Sequence, residues 1–175
     1  MHGPSFDGKI WFMAIARCLL QAVHFAHVQG IVHCDIHAGN VFMRFVPDEL
    51  LPQEHSAITF KLGDFGLSKV FGGLDPAGVF LNSIRPPEAI NPDEYGPLDH
   101  RVDIYHVGLL LLQLAQGESR TFSRDEILNG MPRELALSLA APYSFALEKA
   151  LRRRVIYRTS SALELWRDLN SAVSS

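Results

Sequence analysis

His33-Cys34-Asp35-Ile36-His37-Ala38-Gly39-Asn40 is the densest run of polar, chemistry-bearing side chains in this 175-residue chain, and both its flanks are apolar. On the N-terminal side Phe12, Ile15, Leu19, Val23 and Ala26 recur at three- and four-residue steps. That period predicts one long helix over residues 8–28, with Gly30 as its stop. A short segment, Ile31 to His33, leads into the polar run. On the C-terminal side residues 41–45 read as a strand, and residues 58–62 as the strand that pairs back on it. Residues 46–57 contain Pro47, Pro52 and several charges, so they read as a loop or surface insertion. The polar run is therefore expected between a long helix and a β-hairpin.

From Gly63 to Pro97 the chain is rich in Gly, Pro, Asn and Asp and keeps no period. Long irregular stretches inside compact domains are often functional. Helix is expected again over residues 103–116, closed by Gly117. Ser123 with Glu126, and Ser161 with Glu164, have the spacing of capping boxes. The fold class is thus mainly α with a small β-hairpin. No repeat, low-complexity tract or linker divides the chain, so residues 1–175 are expected to form a single domain.

Hydrophobic residues make up 47% of the sequence and charged residues 20%, the composition of a soluble globular protein. The net charge of −3 gives no basis for nucleic acid or an anionic membrane surface as a partner. Arg152-Arg153-Arg154 is the local exception and reads as a solvated helix end. Cys18 and Cys34 are too few for a disulfide framework. The longest apolar run, Val107 to Leu112, is far short of a membrane span. Residues 10–16 have the apolar character of a signal segment, but Arg17 interrupts them and no small-residue cleavage site follows. A cytoplasmic location is expected.

The polar run resembles the catalytic loop of the protein kinase family, H-R-D-L-x-x-x-N. Four further matches follow in family order. Asp64-Phe65-Gly66 matches D-F-G, and Pro86-Pro87-Glu88 occupies the place of A-P-E. Asp103 to Gly108 resembles the D-x-x-x-x-G helix start, and Arg158 sits at the family's late arginine. Each motif alone is weak, but five in order, over residues 8 to about 173, are specific.

The resemblance implies a protein-kinase-like large C-terminal lobe (α+β) using ATP and Mg2+ on a protein substrate, with a lean toward serine or threonine. It implies that Asp35 orients the substrate hydroxyl or accepts its proton. Asn40 and Asp64 are implied as Mg2+ ligands, since hard amide and carboxylate oxygens suit that ion. Phe42 and Met43 are implied as the floor beneath the adenine, supported from below by Leu110 and Leu114. His33, Phe65 and Asp103 correspond to the lower part of the regulatory spine, and Glu88 and Arg158 to a buried ion pair.

The departures from the family pattern carry their own expectations. No Gly-rich loop, strand lysine or paired helix glutamate occurs, so the small lobe and hinge are expected from upstream or from a separately encoded product. Cys34 replaces the arginine that pairs with a phosphorylated activation loop. Leu81 stands where the family's threonine is expected, with Asn82 or Ser83 as substitutes. His37 replaces a lysine, and the run Asp35 to Asn40 also resembles the D-x-H-x-G-N loop of aminoglycoside and other small-molecule kinases. Two alternatives therefore stand beside the Ser/Thr protein kinase: a non-catalytic kinase remnant acting as an interaction module, and a small-molecule phosphotransferase. His24, His27, His33 and His37 with Cys34 have no standard tetrahedral metal spacing.

Overall fold

The apolar stripe of the first helix sets the layout. In α1 (Gly8–Val28), Phe12, Ile15, Ala16, Leu19, Leu20, Val23 and Ala26 are each 6% exposed or less. They recur on one face and pack on two later helices, α4 (Arg101–Gln116) and α8 (Ala162–Asn170). The computed structural model of the protein describes residues 8–47, 56–71, 85–141 and 143–171. By length and composition alone the stretch Trp11–Val28 could cross a membrane, which the sequence reading did not anticipate. Its buried stripe shows a helix serving a protein core.

After α1 the chain forms β1 (Ile31–Val32), β2 (Val41–Pro47), β3 (Ser56–Leu62) and β4 (Lys69–Val70). β2 and β3 pair antiparallel, Val41 opposite Leu62 and Pro47 opposite Ser56. Both ends of the loop expected over residues 46–57 thus belong to strands, and residues 48–55 lie outside the described residues. β1 pairs with β4 in a second two-stranded sheet. The irregular stretch contains this strand and two short helices, α2 (Pro87–Ile90) and α3 (Pro92–Tyr95). Leu81, Asn82 and Ser83 lie outside the described residues.

α4 is the central helix. Every residue from Val102 to Leu112 is buried, as expected of a helix apolar on all sides. It starts at Arg101, two residues before the expected Asp103, and Gly117 closes it in the left-handed region at φ 73°. A Cβ on Gly108 would come within 3.1–3.2 Å of Ala150 and Leu151, so glycine lets α4 approach α7 (Tyr143–Ala150) closely. Two short helices, α5 (Arg124–Asn129) and α6 (Met131–Leu137), complete the helical half. The Ser123–Glu126 capping box forms in both directions. At α8 Ser161 accepts from the Glu164 amide, but the Glu164 carboxylate reaches past Ser161 to the amide and hydroxyl of Ser160. These bonds, Ser160 first, hold the Glu164 carboxyl down at about 2.

In the arginine run Arg153 and Arg154 are exposed and Arg152 is half-buried against Glu148.

Glu88 and Arg158 tie α2 to the end of the helical half. Both side chains are fully buried, with Nη1 to Oε1 at 2.5 Å and Nη2 to Oε2 at 2.7 Å. The remaining donors reach the carbonyls of Arg152, Arg101 and Arg153, and the guanidinium lies 4.8 Å from the centre of the Tyr105 ring. All of the guanidinium N–H groups are therefore satisfied. A buried pair is tolerable only in such a setting, because removing one partner strands the other charge. Arg158→Ala is expected to destabilise the protein by about 3–5 kcal/mol. Arg124→Ala, at an exposed position, should change stability by less than about 0.5 kcal/mol. Urea unfolding of the two variants checks this, and equal small shifts would contradict the pair's anchoring role.

Candidate active site

The residues of the polar run are placed by hydrogen bonds that cross the fold. Asp103, in the first turn of α4, is fully buried. Its Oδ2 accepts from the His33 amide at 2.8 Å and its Oδ1 from the Cys34 amide at 2.8 Å. His27, at the end of α1, adds Nε2 at 2.8 Å from Oδ2. The His27 partnership had only its place on α1 as a sequence signal, because residues 27 and 103 meet by the packing of two helices.

Cys34 takes φ 69°, a left-handed conformation that a residue with a Cβ rarely adopts. Such a position costs about 1–3 kcal/mol, and it persists here because the Asp103 bond fixes its amide. The thiol packs with Val32, Ala89, Val102 and Leu98. Burial first, and then the nearby Asp103 charge, push the Cys34 thiol up to about 12. It is an inert apolar filler, not a nucleophile.

His33 joins this loop to the turn at Asp64. Its Nε2 lies 3.0 Å from the Gly63 carbonyl, and its Nδ1 accepts from the Asp35 amide at 3.3 Å. A proton on Nε2 satisfies both contacts. The Phe65 ring lies 4.5 Å from the His33 ring, and the Gly63 amide donates to the Asn40 carbonyl at 2.9 Å. The three expected spine residues are thus in one connected set, although Phe65 remains 45% exposed.

Asp35 and Asn40 meet directly. The Asn40 carboxamide nitrogen donates to the Asp35 carbonyl at 2.9 Å and lies 3.4 Å from Asp35 Oδ2. The amide nitrogen being engaged, the carboxamide oxygen remains as a ligand atom. His37 Nε2 is 3.6 Å from Asp35 Oδ2, while its Nδ1 accepts from the Gly39 amide. A Cβ on Gly39 would approach the His37 ring to 2.8 Å, so glycine admits this turn. Asp35 Oδ1 is buried and, among the described residues, has no hydrogen-bond partner. A buried carboxylate oxygen without a donor costs about 1–3 kcal/mol, and such groups concentrate where a ligand supplies the partner.

Asp64 has φ 57° and ψ 72°, again left-handed, and its Oδ1 accepts from the Gly66 amide at 3.2 Å. The second carboxylate oxygen remains for a ligand. Among the described residues no group of three or more His, Cys, Asp or Glu side chains could hold a metal ion by itself. Mg2+ bound with a nucleotide needs only one or two protein oxygens, the phosphates and water supplying the rest. The donor chemistry of Asn40 and Asp64 fits that sharing.

The expected adenine floor divides. Neighbouring strand residues face opposite sides, so Phe42 and Met43 cannot form one surface. The Phe42 ring lies over Gly63, within 2.7 Å of where a Cβ would be, whereas Met43 stands opposite Phe60. Leu110 is buried in the core and Leu114 is partly buried against it.

This arrangement of motifs sits on a mainly helical fold with two small sheets. A profile of the family, described as "Protein kinase domain", matches residues 10–168, and the chain belongs to the protein kinase family. Over 122 residues, 65% of this chain, it is 30% identical to the RAF proto-oncogene serine/threonine-protein kinase of Xenopus laevis, covering 17% of that protein. It is 29% identical over 127 residues to the serine/threonine-protein kinase US3 homolog of Varicella-zoster virus (strain Dumas), covering 73% of this chain and 30% of that one. It is 28% identical over 156 residues to the serine/threonine-protein kinase A-Raf of Sus scrofa, covering 85% of this chain and 24% of that one. The chain thus spans less than a third of the length of each of these relatives. As a family, protein kinases use ATP with Mg2+ and act on proteins.

Asn40→Leu is expected to destabilise the protein by about 1–3 kcal/mol, because the Asp35 carbonyl loses its donor. Denaturant unfolding measures it, and a change below about 0.5 kcal/mol would show that the Asn40 bond does not hold the loop.

Proposed function

We propose that these residues form the large lobe of a Ser/Thr protein kinase that transfers the terminal phosphoryl group of ATP to a protein hydroxyl. The observation that carries this reading is the partly exposed Asp35 carboxylate, with Oδ2 beside the Asn40 carboxamide and Oδ1 without a partner among the described residues. Within the reading, residues 1–175 act as one domain in the cytoplasm, and the Gly-rich loop and lysine come from a small lobe outside these residues.

The Asp35 carboxylate, whose side chain is partly exposed, is the acceptor for the proton of an incoming serine or threonine hydroxyl. His33 and Asn40 hold the Asp35 backbone, so the carboxylate meets the nucleophile without reorganising. Asn40 and Asp64 offer hard oxygens to Mg2+, which when bound with ATP neutralises the phosphate charge. The left-handed backbone of Asp64, braced by Gly66, fixes the direction of that carboxylate. Glu88 and Arg158 keep α2 against the helical half, and with it the segment on which a substrate polypeptide would lie.

A second reading, transfer to a small amine- or hydroxyl-bearing molecule, is favoured by one contact, His37 at 3.6 Å from Asp35. The Glu88 tether supports the protein-directed reading over it.

With a small lobe supplied, natively or as a grafted partner, Asp35→Asn and Asp64→Ala are each expected to lower phosphoryl transfer by at least about a hundredfold. Asp64→Ala should in addition weaken Mg2+-dependent nucleotide binding, which Asp35→Asn leaves nearly unchanged. Radiolabelled phosphate transfer is followed to a generic protein and to a panel of amino-sugars. Full activity in Asp35→Asn, or labelling of amino-sugars but not protein, would overturn the proposal.

A further inference from the structure

We propose that the cleft walled by Arg133, Arg152, Arg153 and Arg154 is a docking site for an acidic, Asp/Glu-rich segment of a protein. In naming that protein as the substrate, the inference rests on the kinase reading above. The cleft has a volume of about 360 Å3 and is bounded by the end of α3, by α6 and by the turn that follows α7.

Its cations are held in place. The Glu148 carboxylate, 8% exposed, takes Arg133 at 2.7 Å and Arg152 at 3.0 Å on the same oxygen. Burial alone would raise the Glu148 carboxyl, but hydrogen bonds from Arg152 and Arg133 outweigh it and hold the group below the usual carboxylate range. Arg153 donates to the Leu128 carbonyl and lies 5.9 Å from the centre of the Tyr95 ring. Arg154 is exposed, and among the described residues no carboxylate pairs with Arg153 or Arg154. Glu94, whose carboxylate accepts from the Asn91 side chain at 3.2 Å, is the other carboxylate at the cleft. Four guanidinium groups against Glu148 and Glu94 leave two positive charges unanswered, on a chain whose net charge is −3.

Guanidinium forks match carboxylates in geometry, and three of the four are already ordered, which lowers the entropy lost on binding. Ile156 and Tyr157, 75% and 59% exposed, add apolar contact beside the charges, the mixture typical of a protein-recognition surface. A nucleic acid would call for a spaced basic track along the backbone, not one small cleft. Glu94 and Tyr95 also follow directly on the α2 segment anchored by Glu88, so an acidic stretch docked there would lie beside a bound substrate.

The test is fluorescence anisotropy of fluorescein-labelled hexaglutamate titrated with the full 175-residue chain at low salt. Arg154→Glu should weaken binding about fivefold or more, the scale of one exposed ion pair lost and one repulsion gained. Arg153→Gln should weaken it in the same direction. Arg17→Glu makes the same charge change on α1, beside a different cleft, and should leave affinity unchanged. The Arg154 side chain is exposed and, among the described residues, pairs with no carboxylate, so an unaltered melting curve confirms that its variant is folded. Absent binding, equal loss in Arg17→Glu, or equally tight binding of a labelled oligothymidylate would overturn the proposal. Binding of a phosphoserine peptide but not of hexaglutamate would overturn the carboxylate assignment. No step needs catalysis, so a chain that docks hexaglutamate yet transfers no phosphate once a small lobe is supplied sinks the kinase reading alone.

Discussion

Asp103 accepts the amides of His33 and Cys34 and stands 2.8 Å from the His27 ring, all in the interior. Hydrogen bonds to a charged acceptor are worth roughly 1.5–3 kcal/mol each. Together they exceed the roughly 1–3 kcal/mol that the left-handed Cys34 costs, so the loop keeps a conformation its own residues disfavour. The first turn of α4 also points its amide dipoles toward this carboxylate, a further favourable term. From there the placement propagates through His33 to Gly63, through Asn40 to Asp35, and so to the two carboxylates of the candidate site.

Two buried acids divide the work of holding the fold together. Asp103 fixes the loop from the start of α4, and Glu88 fixes α2 through Arg158 at the far end of the helical half. Neither is a simple source of stability, since burying a charge costs several kcal/mol before any partner is found. What they add is a single arrangement, because each acid is satisfied only when distant segments meet. Asp35 is the contrast. It follows directly on the loop that Asp103 holds, yet among the described residues one of its oxygens has no partner, as expected of a group held ready for a ligand.

Much of this was legible in the sequence because it is local. The spacing of Phe12 to Ala26 yields α1, Gly117 ends α4, and Ser123 with Glu126 caps α5. The order of the polar motifs likewise marks the residues that the fold brings together. What the sequence hides is set by contacts across the chain. Pairing of the two-residue β1 with β4 leaves no period to read. His27 and Asp103 meet only because α1 lies on α4, and Glu164 reaches Ser160 instead of Ser161 for reasons of side-chain reach. The separation of Phe42 from Met43 could have been read from strand alternation alone.

The central claim, that Asp103 holds the loop from His33 to Asn40, concerns two amides and can be measured on them. Hydrogen exchange followed residue by residue on the unmodified protein should show the His33 and Cys34 amides exchanging only with global unfolding. The exposed Gly39 and Gly66 amides should exchange through local opening, orders of magnitude faster. Exchange of His33 and Cys34 at the rate of Gly39 would contradict the account, because the loop would then open without disturbing the helix that is said to hold it.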